Sequence, residues 1–140
     1  STLLLGRGLG QFMKSGHGGS IVTTGWDQAA TGMEGDSGEL FAAIKGAVMA
    51  FTKSLAKSLA PHVRVNCVAP GWIKTAWGNE ASASWQDRAV RECLLERWGE
   101  PKDIAEAIQW LVSPGAGFIT GQIVNVNGGF RTNQKDEPTK

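Results

Sequence analysis

Tyrosine is absent from the 140 residues, so no phenol is available anywhere in the chain to give or take a proton. Cysteine is scarce. Cys67 and Cys93 are the only two, and they form neither a metal-type nor a redox-type pair. Both read as reduced core residues, Cys67 inside an apolar strand-like run, which fits a cytoplasmic setting. Charge of one sign is missing as well. Fourteen basic residues stand against 13 acidic ones, for a net charge of +1, which leaves no electrostatic case for nucleic acid or an anionic membrane. No apolar run approaches the roughly 20 residues of a membrane span. Leu3-Leu4-Leu5 has no basic region before it, so it is not read as a signal peptide.

What is present suits one domain with a core: 41% of residues are apolar, and 19 glycines allow tight turns and close backbone approaches. Residues 3–14 read as a helix with Leu4, Leu5, Leu9, Phe12 and Met13 on one side, weakened by three glycines. Ser20-Ile21-Val22-Thr23-Thr24 reads as a buried strand. Residues 25–38 carry no periodicity and read as a loop, with Asp36 or Ser37 as the cap of the next helix. That helix is the clearest in the chain, because Leu40, Ile44, Ala47, Val48, Phe51, Leu55 and Leu59 recur at three and four before Pro61 stops it.

Val63–Val68 is a second strand, closed by Pro70-Gly71. Residues 83–97 read as an amphipathic helix, and Pro101 opens another with a face of Ile104, Ala107, Ile108 and Leu111. Residues 118–126 read as a third strand, and 131–140 as a polar tail. Helices alternating with apolar strands indicate an α/β fold with a parallel sheet. Three strands with flanking helices are thin for such a sheet, which needs cover on both faces. The expectation is therefore part of a doubly wound, Rossmann-like sheet.

Five separated segments, in order, then point to one family. Gly19–Thr24 resembles the strand leading to that family's catalytic serine. Phe41-Ala42-Ala43-Ile44-Lys45 resembles its Tyr-x-x-x-Lys helix. Val63–Thr75 resembles the strand and loop that cover a nicotinamide. Arg97-Trp98-Gly99-Glu100-Pro101 resembles the turn into the penultimate helix, and Ile119–Gly129 the final strand. On these residues the chain resembles the short-chain dehydrogenases/reductases, closest to the branch that includes the acyl-carrier-protein ketoreductases. Members usually have about 250 residues, a common one-domain size. The resemblance implies that residues 1–130 are the C-terminal half of such a domain. The Gly-rich pyrophosphate turn would belong to the other half, and the family's helical asparagine would fall just before residue 1. Gly6-Arg7-Gly8-Leu9-Gly10 lacks both a preceding strand and the Gly-x-Gly-x-x-Gly spacing, and reads as a helix packed closely on a neighbour.

The resemblance also assigns roles. Lys45 stands at the lysine position, where the family lowers a tyrosine pKa and holds the cofactor ribose. Phe41 stands at the tyrosine position and keeps the ring without the hydroxyl. Trp26 stands at the serine position. The Trp26–Phe41 interval is about two residues longer than the family's, so Thr24, Asp27 or Ser37 could lie near the site instead. Asp27 in an apolar pocket could serve as an acid, although an exposed loop aspartate is its ordinary reading. Pro70, Gly71, Ile73 and Thr75 fall where the family meets the nicotinamide carboxamide and a phosphate, and Pro-Gly is equally an ordinary turn signal. Asn66 reads as structural. Trp72, Trp77 and Trp85 read first as core packing, or else as lining a pocket or interface.

Taken together, the implied protein is related to NAD- or NADP-dependent oxidoreductases and lacks normal reductase activity. A fragment of an active carbonyl reductase and a non-catalytic assembly subunit are the alternatives. The implied partners are further copies of itself, the missing half, or a paralogue, with no metal involved.

Overall fold

The structure, a computed structural model, describes residues 1–131. Apart from Arg131, the tail expected over 131–140 lies outside the described residues. The chain runs α1 (Thr2–Ser15), β1 (Gly19–Thr24), α2 (Asp36–Leu59), β2 (Val63–Pro70), α3 (Ala76–Glu80), α4 (Ala83–Glu92), α5 (Pro101–Val112) and β3 (Ile123–Val126). Single 3-10 turns sit at Asp27–Ala29 and Pro114–Ala116. The strands form one parallel sheet in the order β1-β2-β3. Gly19 lies opposite Val63, and Cys67 lies opposite Ile123. The fold is α/β with helical crossovers, as the alternating pattern implies.

Strand β2 explains the layering. Its side chains alternate between two faces, and both are covered. Val63 and Val65 pack with Leu55, Ala56 and Leu59 of α2, against which Met13, Ile21 and Phe51 also lie. On the opposite face, Arg64 donates to the carbonyls of Leu111 at 2.8 Å, Ser113 at 3.2 Å and Ile119 at 3.3 Å. Arg64 thereby ties the end of α5 to the sheet. Asn66 is fully buried and bonds backbone only: it donates to Ile119 O at 2.9 Å and accepts from Gln122 N at 3.0 Å. Buried amides persist when their polar atoms are satisfied in this way. Helix α1 closes on α2 through Gly10, where a Cβ would collide with Leu59. Gly6 to Gly10 are all inside α1.

Several local expectations are corrected. The helix expected over 83–97 stops at Glu92, because Cys93 bridges antiparallel to Phe130. There Leu94 N and Leu95 N donate to the carbonyls of Gly129 and Gly128. Leu94 and Leu95 are consequently exposed. The third strand is Ile123–Val126 rather than 118–126. Phe118 is fully exposed, and at Thr120 it is the side-chain hydroxyl that accepts from Val65 N, at 3.0 Å. The N-cap of α2 is Gly35, with φ 92, so Asp36 is already helical. Leu40 and Ile44, expected on the buried face of α2, are 69% and 63% exposed. So are most of the α1 leucines, together with Phe12 at 77%.

Leu59 is completely buried at the meeting point of α1, α2 and β2. Leu59→Ala should cost about 2–5 kcal/mol of stability, read as a lower urea midpoint with an unchanged slope.

Candidate functional site

The carboxyl ends of β1 and β2 and the N-terminal half of α2 enclose a cleft of about 600 Å³. Local sequence builds it. β1 ends at Thr24, and Gly25 N donates to Val68 O at 2.8 Å, which turns Trp26 in extended conformation over the start of α2. The Trp26 and Phe41 rings meet edge-on, with centroids 5.1 Å apart at 67°. Lys45, one helical turn beyond Phe41, donates from Nζ to Thr24 O at 3.1 Å. The same ammonium lies 5.3 Å from the centroid of the Phe41 ring, within cation–π range. A buried hydroxyl pair, Thr23 Oγ1 to Thr52 Oγ1 at 2.6 Å, fixes the helix to the strand just below.

The opposite wall comes from the segment after β2. Pro70, Gly71, Trp72, Ile73, Thr75 and Trp77 line the same cleft. Seven of the positions singled out in the sequence, namely Trp26, Phe41, Lys45, Pro70, Gly71, Ile73 and Thr75, therefore line one space. Thr24 lines it too. Ser37 is the second residue of α2, and its side chain lies outside what the structure describes. Gly71 permits the closeness of the wall to β3: a Cβ there would lie 2.5 Å from Asn127 Cβ.

Asp27 is the main departure. It is neither an exposed loop residue nor part of the cleft lining, but is 7% exposed. Its carboxylate accepts from Gln28 N at 2.8 Å and from Asn127 Nδ2 at 2.9 Å, joining the loop after β1 to the end of β3. Burial pushes its carboxyl above the usual 3.8 more than these hydrogen bonds lower it, and the negative charge of Glu92 adds to the rise. Burial likewise pushes the Cys67 thiol up, in keeping with an inert core cysteine.

Core packing does not describe Trp72 and Trp77, since both line the cleft and Trp77 is 56% exposed. Trp72 stands at the centre of a cluster, with ring centroids 6.5 Å from Trp77, 5.5 Å from Trp85 and 6.0 Å from Trp98. Its indole N–H donates to Glu92 at 2.9 Å. Arg88 bonds the other Glu92 oxygen at 2.7 Å, pairs with Glu34 at 2.6 Å, and lies over the Trp85 ring at 5.0 Å. Sequence reasoning missed this network. The i,i+4 spacing of Arg88 and Glu92 was its one visible sign, since Glu34 lies far away in the chain. A second cavity of about 330 Å³ opens between the start of α5 and the end of β3. There the Arg97 guanidinium, helped by the Glu100 N–H, holds the Asp103 carboxyl down to about 2.

A parallel sheet covered by helices, with its cleft at the carboxyl ends of the strands, has the architecture of doubly wound α/β proteins. The family model described as Enoyl-(acyl carrier protein) reductase matches residues 1–131. The chain belongs to the short-chain dehydrogenase/reductase family. It is 37% identical over 133 residues to the uncharacterized oxidoreductase YmfI of Bacillus subtilis, covering 93% of this chain and 53% of that protein. It is 37% identical over 114 residues to the 3-oxoacyl-(acyl-carrier-protein) reductase FabG of Vibrio cholerae, covering 80% and 46%.

Among solved structures, the 3-oxoacyl-(acyl-carrier protein) reductase of Brucella melitensis superimposes with a TM-score of 0.82 at 34% identity, covering 91% of this chain and 47% of that one. A 7α-hydroxysteroid dehydrogenase complexed with NADH and 7-oxo glycochenodeoxycholic acid gives 0.83 at 29% identity, covering 92% and 51%. The chain spans about half the length of these relatives. Among the described residues, no helix is long and apolar enough to cross a membrane.

The raised Asp27 carboxyl predicts a pH signature. A folded pKa above the unfolded one means that the folded state binds the proton more tightly. Its stabilising contribution is then complete below the unfolded value near 3.8 and is lost as pH rises through the folded pKa. Asp27→Asn should remove that decline, so wild-type and variant stabilities measured by urea unfolding from pH 3 to 7 should diverge in slope just above pH 3.8. Parallel profiles would contradict the assignment.

Proposed function

We propose that residues 1–130 are the C-terminal half of a Rossmann-like short-chain dehydrogenase/reductase domain, related to NAD(P)-dependent oxidoreductases, in which normal carbonyl reduction has been lost. The observation that carries this is the Trp26–Phe41 contact. Where the family motif places two hydroxyls, this chain has an indole and a phenyl ring packed edge-on, and no tyrosine exists elsewhere to replace them. A positioned general acid contributes about two to four orders of magnitude in rate.

The donor set fits the nicotinamide end of a dinucleotide. Lys45 spends one N–H on Thr24 O and, as an ammonium, has two more for a ribose. Pro70, Gly71 and Ile73 offer backbone, and Thr75 a hydroxyl, on the facing wall. A bound nicotinamide would supply or accept hydride. The glycines of α1 are helical and offer no pyrophosphate turn, so tight binding requires the half that carries one. The cysteine usage supports a cytoplasmic setting. The isolated 140 residues should bind NADPH more weakly than micromolar, a limit of about −8 kcal/mol, as calorimetry can show.

The intact protein should reduce ketones at background rates, whereas the double variant Phe41→Tyr, Trp26→Ser should gain NAD(P)H-dependent turnover. Unmodified turnover near 10 per second, an ordinary enzyme rate, would refute the loss of catalysis.

A second reading, an assembly subunit beside like or paralogous chains, draws on one specific observation. Leu4, Leu5, Leu9 and Phe12 of α1 and Leu40 and Ile44 of α2 leave apolar helix surface exposed, the kind of surface that marks interaction sites when it is contiguous. Light scattering should find an oligomer, and Phe12→Glu with Ile44→Glu should shift it toward monomer. A wild-type monomer would remove this reading.

A further inference from the structure

We propose that Asp27 is a positioning residue that fixes both aromatic walls of the cleft through Asn127, and that its protonation state decides how firmly they are held. The proposal does not depend on what the cleft binds. All three strands end beside this one carboxylate. Asp27 follows β1, and its Oδ2 accepts from Asn127 Nδ2 just beyond β3, at 2.9 Å. Gly71, just beyond β2, completes the junction: a Cβ there would lie 2.5 Å from Asn127 Cβ and 3.2 Å from Asp27 Oδ2. Each wall is the immediate neighbour of a member of this junction. Trp26, packed on Phe41, precedes Asp27, and Trp72, stacked with Trp77, follows Gly71. Asp27 is 7% exposed, so its surroundings are supplied almost entirely by this chain.

The polarity of the hydrogen bonds makes the junction a relay. Gln28 N donates to Oδ1 of Asp27 at 2.8 Å. Gly129 N donates to Oδ1 of Asn127 at 3.0 Å, which leaves the Asn127 amino group for Asp27. An ionised carboxylate can only accept, so it holds the Asn127 amide in this one orientation. The reversed amide would set its amino group against the Gly129 N–H. The carbonyls of Gly129 and Gly128 accept from Leu94 N and Leu95 N, so the same orientation seats the turn after β3 on the segment that follows α4. Both Asp27 oxygens face N–H groups, and a proton on either one sets a donor against a donor.

Burial raises the affinity of Asp27 for that proton, because the charged form is the one that loses its water. Glu92 of α4 adds a like charge. The cations of the neighbouring elements are turned to other groups: Lys45 of α2 to Thr24 O, and Arg88 of α4 to Glu92 and Glu34. Falling pH therefore protonates Asp27 before a carboxyl with the ordinary value of 3.8, and the two walls loosen together.

The test follows the side-chain amide resonance of Asn127 and the indole N–H resonances of Trp26 and Trp72 by NMR in the intact, isotope-labelled protein as pH is lowered. All three should move at a single midpoint above 3.8. Asp27→Asn should abolish the joint step, and Glu92→Gln should leave it in place. At neutral pH, Asn127→Asp should set two carboxylates face to face, displace both indole resonances and lower the urea midpoint. Exchanging the pair, Asp27→Asn with Asn127→Asp, keeps one carboxylate and one amide in the same donor order. The exchange should return the indole resonances and recover the midpoint, a coupling that the single variants lack. If a single variant fails to fold, the wild-type titration and the exchanged pair still decide. An Asn127 amide that titrates while the Trp26 indole stays still would overturn the positioning role and leave Asp27 a structural tie. A joint step that survives in Asp27→Asn, or an exchanged pair that behaves no better than Asn127→Asp, would overturn the relay.

Discussion

Everything in the structure depends on β2 being a parallel strand buried on both faces. Such a strand cannot present polar groups to water, so each of its backbone and side-chain donors must find a partner inside the molecule. Its apolar residues answer with α2 on one side. Its polar residues, Arg64 and Asn66, answer on the other by binding the carbonyls at the end of α5 and in the 113–122 segment. The two layers are thus held by different forces, packing on one face and hydrogen bonding on the other. The cleft sits where both run out, at the carboxyl edge of the sheet.

That edge is where the local rules of the chain and the demands of its surroundings part company. Leu40, Ile44 and Ala47 share the three-and-four spacing of Val48, Phe51, Leu55 and Leu59, which predicts one buried stripe along α2. The stripe is genuine only from Val48 onward, because the first turns of α2 leave the sheet and border the cleft. Helical period reports that residues share a side of the helix. It does not report whether that side has a neighbour. The same reason accounts for α1, whose leucines share a side but are mostly open to solvent.

The alternation of strands and helices, the strand centred on Val65 and the stop at Pro61 were legible because each rests on chemistry within a few residues. The gathering of Trp26, Phe41, Lys45 and the Pro70–Thr75 segment was legible through spaced motifs and their resemblance to a family, not through periodicity. What escaped notice depended on partners distant in sequence. Residue 27 became a buried carboxylate only because Asn127 comes to meet it. The helix expected through residue 97 gave way at Cys93 because Phe130 offered backbone pairing there. No window of sequence contains both members of either pair.

The guanidinium of Arg88 joins two carboxylates of very different character. Glu92 is nearly sealed from solvent, while the Glu34 side chain is 74% exposed. Dissolved ions screen the second of these pairs far more than the first. As ionic strength rises, the strap formed by Glu34 therefore loosens while the grip on Glu92 and Trp72 persists. Met33, the neighbour of Glu34, lines the cleft, so the rim of the cleft is fastened by a salt-sensitive catch and its aromatic floor by a salt-resistant one. Two parts of the cleft wall are thereby tied down by separate electrostatic contacts of a single side chain.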